Sequence, residues 1–209
     1  MPERVILIHG LWMRAFTLGA LRNRVEAAGF AVEMFDYGSV FHQPDVSAER
    51  LLRRVTSGPD GKVHFVGHSL GGLVALQAAR CAPDLVGGRI VCLGSPLRGS
   101  AVARGIGRLP GGPFFLGKSM RMLHDGIESW DGPQPLGVIA GRLPFGLGVA
   151  IGALSSPHDG TVSVAETQLP GASDHCIVPA THTGLPFSSD VAAETIAFLR
   201  SARFTRRTY

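Results

Sequence analysis

Residues Lys62 to Ala79 read KVHFVGHSLGGLVALQAA. A β-branched and aromatic run, Lys62 to Gly67, leads in, and a run of helix formers starts at Leu70. Between them stand Gly67, His68, Ser69, Leu70 and Gly71, an instance of G-x-S-x-G. The pattern is common by chance, but strand, turn and helix around it form the context that gives it meaning. A serine on so sharp a turn holds a backbone conformation that non-glycine residues rarely occupy. Side chains two positions before and two after it would collide, so Gly67 and Gly71 remove them. The product is an exposed hydroxyl beside a helix N-terminus, which makes Ser69 a candidate nucleophile.

Outward from this turn, short apolar runs alternate with helical patterns. Arg4–Ile8 (RVILI) reads as a buried strand. In TLGALRNRVEAAG, residues 17–29, Leu18, Leu21, Val25 and Ala28 keep a helical spacing that stops at Gly29. Phe30–Tyr37 alternates like a strand, and SAERLLRRV reads as a helix with Ser47 as its N-cap. Further strands are predicted at Arg89–Gly94, Pro135–Gly141 and His175–Pro179, and a helix over LGGLVALQAARC. SDVAAETIAFLRS closes the chain as a helix with Val191, Ala192, Thr195, Ile196 and Leu199 on one side. Strands alternating with helices predict an α/β fold, a mostly parallel sheet with helices on both faces. Ligands of such sheets bind outside the carboxyl ends of the strands.

The chain has 209 residues, 45% of them apolar and 17% charged, which suits one globular domain over 1–209 with a sizeable core. The net charge of +4 is modest, and four arginines of the tail RSARFTRRTY account for much of it. No basic stripe interleaved with aromatics is present, so no nucleic-acid partner is expected. Cys81, Cys92 and Cys176 are odd in number and far apart, which argues against a disulfide framework or a zinc site. No cofactor and no metal are expected. The N-terminus lacks the features of a secretory signal. The longest uncharged apolar stretch, Leu143–Leu154, is too short and glycine-rich to span a bilayer. The expected location is the cytoplasm, with transient membrane or lipid contact left open.

A second motif competes with the first. From Gly112, GPFFLGKS fits G-x-x-x-x-G-K-[ST], the nucleotide-binding P-loop. That loop needs a strand before it, whose end aims backbone N–H groups at phosphates. Here GIGRLPGGP precedes it, rich in glycine and proline and unlike a strand. Pro113 removes one N–H, and Phe114, Phe115 and Leu116 are bulky where phosphates are usually wrapped by small residues. The reading is a glycine- and proline-rich loop leading into a short helix, KSMRMLHDGIESW.

A nucleophilic serine needs a base, an orienting acid and an oxyanion hole. The expected chain order is Ser, then Asp or Glu, then His, with the base after the last strand. His182, in HCIVPATHTGLPFS, meets that condition. His175 begins that strand at the wrong end of the sheet, His158 comes too early, and His9 follows the first strand and reads as structural. His64 and His68 are spaced like a metal pair, but His64 lies on a strand, which breaks that geometry. For the acid, Asp159 sits in the turn PHDGTVSVAET. Asp174 precedes the last strand, and Asp125 and Asp131 precede the strand before it and read as solvated. The oxyanion donors are expected from the backbone of Leu70, just after the nucleophile, and of Leu11, after the turn at Gly10.

LIHGLW, FVGHSLGG, CLGSPLRGS, HDGTVSVAET and ATHTGL together resemble the α/β-hydrolase superfamily. More narrowly the chain is similar to its small bacterial lipases and esterases, including the group similar to inositol-deacylase-like lipases. The resemblance covers nearly the whole chain. It implies a serine esterase or lipase working on a small-molecule or lipid acyl ester through an acyl-enzyme. Ser69 maps to the nucleophile, Asp159 to the acid, His182 to the base, and Leu11 and Leu70 to the oxyanion donors. The chain is expected to depart from secreted lipases, with neither a signal peptide nor a large cap domain.

Residues 99–132 leave the sheet at a strand's carboxyl end, so they are expected near the site as a small lid or acyl-pocket insertion. Trp12, Met13, Phe114, Phe115 and Leu116 are the candidate substrate-binding residues. Thioesterase and acyltransferase chemistry would use the same groups. A non-catalytic binding protein on this scaffold is the competing class.

Overall fold

A computed structural model describes residues 2–146 and 154–205. Six strands form one sheet: β1 (Arg4–Ile8), β2 (Ala31–Phe35), β3 (Val63–His68), β4 (Ile90–Leu93), β5 (Leu136–Gly141) and β6 (Asp174–Val178). Their order is β2-β1-β3-β4-β5-β6, and every pairing is parallel. The expected mostly parallel sheet is therefore wholly parallel among the described residues. β1, β3, β4 and β5 are buried along their whole length, while the edge strands β2 and β6 are half-buried.

The helices cover both faces. On one side α2 (Pro44–Thr56) and α3 (Leu70–Cys81) pack with Ile6, Ile8, Phe65, Ile90 and Val138. On the other lie α1 (Gly19–Ala27) and the closing helix Ser189–Ser201, against Val5, Leu7, Val66, Val91 and Ile139. Alternate strand residues thus feed two cores, as the twofold period of a strand demands.

Ser47 does not begin α2. The helix opens one turn earlier with Gln43 as N-cap and Pro44 in its first turn, and the Ser47 hydroxyl donates back to the Gln43 carbonyl at 3.3 Å. A proline's preset φ suits that first position better than a serine further on. Residues 99–132 also differ from the expectation. The stretch read as loop contains α4 (Ala101–Gly107) and α5 (Gly112–Leu116). The short helix expected over Lys118 to Trp130 is shorter still: a 3-10 turn, Gly117–Ser119, followed by α6 (Met120–Asp125). Gly126, at φ 65°, ends it. One further short helix, α7 (Val164–Thr167), precedes β6, and the closing helix is α8. Most of the apolar stretch Leu143–Leu154, and the end of the basic tail, lie outside the described residues. Among the described residues no helix is long and apolar enough to cross a membrane.

Candidate active site

The sheet reverses its direction of growth at β1, with β2 added on one side and β3 on the other. Loops leaving β1 and β3 therefore diverge at adjacent carboxyl ends and leave a crevice there. Ser69 stands at that point. Its φ of 55° and ψ of −122° make it one of three described non-glycine residues with positive φ. The Ser69 N–H donates to the Leu93 carbonyl at 2.8 Å, which ties the strained turn to β4. A Cβ on Gly67 would run into the backbone of Gly71 and Gly72, and one on Gly71 into the Ile8 carbonyl. The crossing of β3, α3 and β1 thus leaves no room for any side chain at either position. Gly10 lies equally close to the serine: a Cβ there would sit 3.1 Å from the Ser69 Cβ.

His182 follows β6 and is buried, with Nε2 3.1 Å from the Ser69 Oγ and Nδ1 2.8 Å from the Asp159 Oδ2. Asp159 is 1% exposed. Its other oxygen, Oδ1, accepts from the N–H groups of Thr161 at 2.9 Å and Val162 at 2.7 Å. The main chains also meet, the His182 N–H donating to the Asp159 carbonyl at 2.8 Å. A carboxylate so held requires the Nδ1–H tautomer of the imidazole, which turns the Nε2 lone pair toward the serine hydroxyl. Such a chain can draw a proton from Ser69 as it attacks and return it to a leaving group.

The two backbone N–H groups expected to face an oxyanion, those of Leu70 and Leu11, lie directly after Ser69 and after Gly10 in the chain. Leu70 opens α3, so its N–H has no intrahelical acceptor. The Leu11 N–H pairs with no backbone carbonyl among the described residues. Leu11 is followed by Trp12 at φ 57°, whose N–H donates to the Ser39 hydroxyl at 3.2 Å.

A mostly apolar cavity of about 260 Å³ opens at Ser69 and His182. Leu11, Trp12, Met13, Phe115 and Leu116 line it. Phe114 does not: it is 86% exposed and points away from the cavity, because α5 buries Gly112 and Leu116 instead. Val102, Ala103 and Ile106 of α4, with Leu123 and Val162, complete the apolar wall. Sequence reasoning missed the α4 residues. Their signal was present: Ser100 before Val102, Ala103 and Ile106 at helical spacing. The Ser100 hydroxyl caps the helix by accepting from the Ala103 N–H at 3.0 Å. Gly105 and Gly107 obscured it.

His68 was also missed, having been weighed only as a metal ligand. It is fully buried beside His182, ring centroids 4.9 Å apart, and its Nε2–H donates to the His182 carbonyl at 3.0 Å. Its Nδ1 finds no partner among the described residues. Burial, with the neighbouring His182 adding to it, lowers the His68 pKa to about 3, so the ring is neutral.

The remaining candidates sit elsewhere. His9 is buried, with Nδ1 on the Gly10 carbonyl and Nε2 on Asp36, both at 2.9 Å, and burial lowers its pKa. His64 contacts Glu3 through Nε2 and accepts the Arg89 N–H through Nδ1. His175 lies 2.8 Å from the Thr167 hydroxyl. His158 accepts from the Gly160 N–H in the turn after Asp159. Asp125 and Asp131 are exposed, near His124 and Arg80 respectively. Asp174 accepts from the Phe204 N–H at the amino end of β6. Among the described residues no group of three or more His, Cys, Asp or Glu side chains could hold a metal ion. GPFFLGKS follows the helix α4, not a strand, and is itself helical.

The profile of the Alpha/beta hydrolase family matches residues 5–160. Solved structures share the fold at low identity. The mature Bacillus licheniformis lipase BlEst2 is 17% identical, with 96% of this chain and 92% of that one covered, at a TM-score of 0.76. The metagenomic carboxyl esterase MGS0156 is 18% identical, covering 96% and 70%, at 0.70. A pyrethroid hydrolase from Sphingobium faniae JZ-2 is 17% identical, covering 96% and 98%, at 0.63. No curated protein matches in sequence. The matched family segment spans well over half of the chain, which therefore belongs to the alpha/beta hydrolase family.

Proposed function

We propose that this protein hydrolyses carboxylic esters by way of an acyl-enzyme on Ser69. The observation that carries the reading is the chain from Ser69 Oγ through His182 to Asp159, at 3.1 and 2.8 Å, opening into an apolar cavity. His182 takes the Ser69 proton as the hydroxyl attacks the carbonyl, and Asp159 stabilises the imidazolium that forms. The Leu11 and Leu70 N–H groups receive the developing oxyanion. His182 then protonates the leaving alcohol, and water, activated by the same imidazole, releases the acid. The cavity takes the acyl chain, with residues 99–132 as its roof. That three structural neighbours are named lipase, esterase and pyrethroid hydrolase supports the ester class. Among the described residues no disulfide joins Cys81, Cys92 or Cys176, which suits a reducing cytoplasm.

The test is hydrolysis of p-nitrophenyl esters from acetate to palmitate, with a fluorophosphonate probe alongside. The expected result is turnover with a chain-length optimum and labelling that Ser69→Ala abolishes. Labelling without ester turnover would move the substrate to a thioester or an acyl transfer. No labelling of the folded protein would leave a binding module and sink the proposal.

A further inference from the structure

Twelve large apolar side chains stand exposed among the described residues, and they are not scattered. Ten of them lie on the segments that follow the carboxyl ends of the strands, and two of these, Trp12 and Phe115, line the cavity. Trp12 and Phe16 follow β1, Phe41 follows β2, Phe114 is on α5, Phe145 follows β5 and Phe187 follows β6. Leu85, by contrast, sits at the opposite edge, between α3 and β4. Single exposed apolar residues are ordinary, but a cluster this one-sided marks an interaction face. Part of it is built in place. The Trp12 indole N–H donates to the Phe115 carbonyl at 2.9 Å, and the two rings lie 5.4 Å apart.

Charge identifies what covers the face. From Leu97 to His124 the chain carries five basic side chains and no acidic one; Asp125, the next residue, pairs with Arg121 and His124, which leaves Arg98, Arg104, Arg108 and Lys118 as the basic side chains of this stretch. Arg108, Lys118 and Arg142 are exposed on the same loops as Leu109, Phe114 and Phe145. Aromatic side chains among basic ones are what a lipid headgroup region accepts: rings enter the interface and cations meet anionic lipid. A second copy of the chain, docked face to face, would set two basic rims against each other.

We infer that the loop face around the active-site mouth docks on anionic phospholipid surfaces, with Phe114 entering the interface and Arg108 and Lys118 meeting the headgroups. Phe114 is free for this, because it does not line the cavity. Docking is separate from ester turnover and stands or falls by itself.

The chain supplies its own reporter, since Trp12 is 51% exposed on this face and Trp130 is 5% exposed in the core. Tryptophan fluorescence and co-sedimentation are followed with vesicles of phosphatidylcholine mixed with phosphatidylglycerol, and of phosphatidylcholine alone. The expected result is a blue shift and sedimentation with the mixed vesicles, reversed by high salt. Phe114→Ser and the double change Arg108→Glu, Lys118→Glu should each weaken partitioning by roughly tenfold or more. Circular dichroism and fluorophosphonate labelling show whether each variant folds; the salt series on the unaltered protein decides the case if one does not. No binding by the folded protein would overturn the inference, as would equal binding to both vesicle types. So would a concentration-dependent dimer, abolished by Phe114→Ser, in place of vesicle binding.

Discussion

Ser69 and Ser119 both follow glycine-rich turns that match nucleotide- or nucleophile-type patterns, yet the backbone around them sends one hydroxyl to a histidine and the other to a backbone carbonyl. A fully buried strand leads into Ser69, which takes a strained positive φ so that its Oγ faces His182. A short helix leads into Ser119, which is 2% exposed, with its hydroxyl donating to the Ser39 carbonyl at 2.6 Å. Beside it the Lys118 N–H donates to the Val40 carbonyl at 2.9 Å. The lysine and serine that would serve a phosphate in a P-loop instead pin the insertion to the loop after β2. The difference is decided by the preceding element: a strand end can aim a turn at the sheet's edge, and a one-turn helix cannot.

The largest expected effect separates the two serines by activity. Ser69→Ala should lower kcat by up to about 10⁶, read as single-turnover ester hydrolysis. A variant retaining a tenth of the original rate would break the comparison. Asp159→Asn comes next, at roughly 10⁴ in kcat, because an amide no longer enforces the Nδ1–H tautomer of His182. Equal kcat with raised KM would instead mean that Asp159 only shapes the pocket.

A third effect reads the burial around Ser69 as acid sensitivity. The folded His68 pKa of about 3 lies below the ordinary value of 6.5, so the unfolded chain takes up this proton first. Stability is therefore unaffected above about pH 6.5. It falls by roughly 1.4 kcal/mol per pH unit between there and about pH 3 through this residue. His9, His64 and His175 shift in the same direction for the same first cause, burial. Urea unfolding at several pH values should show His68→Gln losing about that much of the acid slope. Parallel slopes for variant and parent would show that His68 is protonated in the fold.

Much of this site is legible in the sequence because each part sits at a strand end that short-range pattern can locate. KVHFVG, HCIVP and RVILI place Ser69, His182 and Leu11 at the same edge once the strands are taken as parallel. The helix SDVAAETIAFLRS is found with its observed bounds, Ser189–Ser201, since its periodicity is uninterrupted. What is not legible depends on contacts distant in sequence. α4 and α5 carry glycine and proline that disfavour helix locally, and they form because Val102, Ala103 and Leu116 are buried. The direction of Phe114 follows from which face of α5 is buried. The service of His68 to His182 links residues 114 apart.

The next effect sharpens the role of the insertion. Phe115 lines the cavity and packs on Trp12 while remaining 46% exposed. Phe115→Ala should lower kcat/KM for short esters by about tenfold and move the chain-length optimum upward, as a missing apolar wall lengthens the cavity. An unchanged chain-length profile would remove Phe115 from substrate selection and leave that role to the other cavity-lining residues of 99–132.

The smallest effect belongs to Ser119. Its hydroxyl satisfies the Ser39 carbonyl, and Ser39 in turn holds the Trp12 N–H through its own hydroxyl. Ser119→Ala leaves that carbonyl without its donor, which should cost about 1–2 kcal/mol in urea unfolding. The Ser39 hydroxyl is a different atom from the carbonyl that loses its donor, so Trp12 stays held. Turnover of p-nitrophenyl acetate should therefore remain within about twofold, and binding of MgATP should be undetectable in either protein. A nucleotide-dependent rise in melting temperature that Ser119→Ala removes would restore the phosphate reading. A large loss of turnover at unchanged stability would make the Ser119–Ser39–Trp12 connection a support for the Leu11 N–H, and the two serines parts of one site.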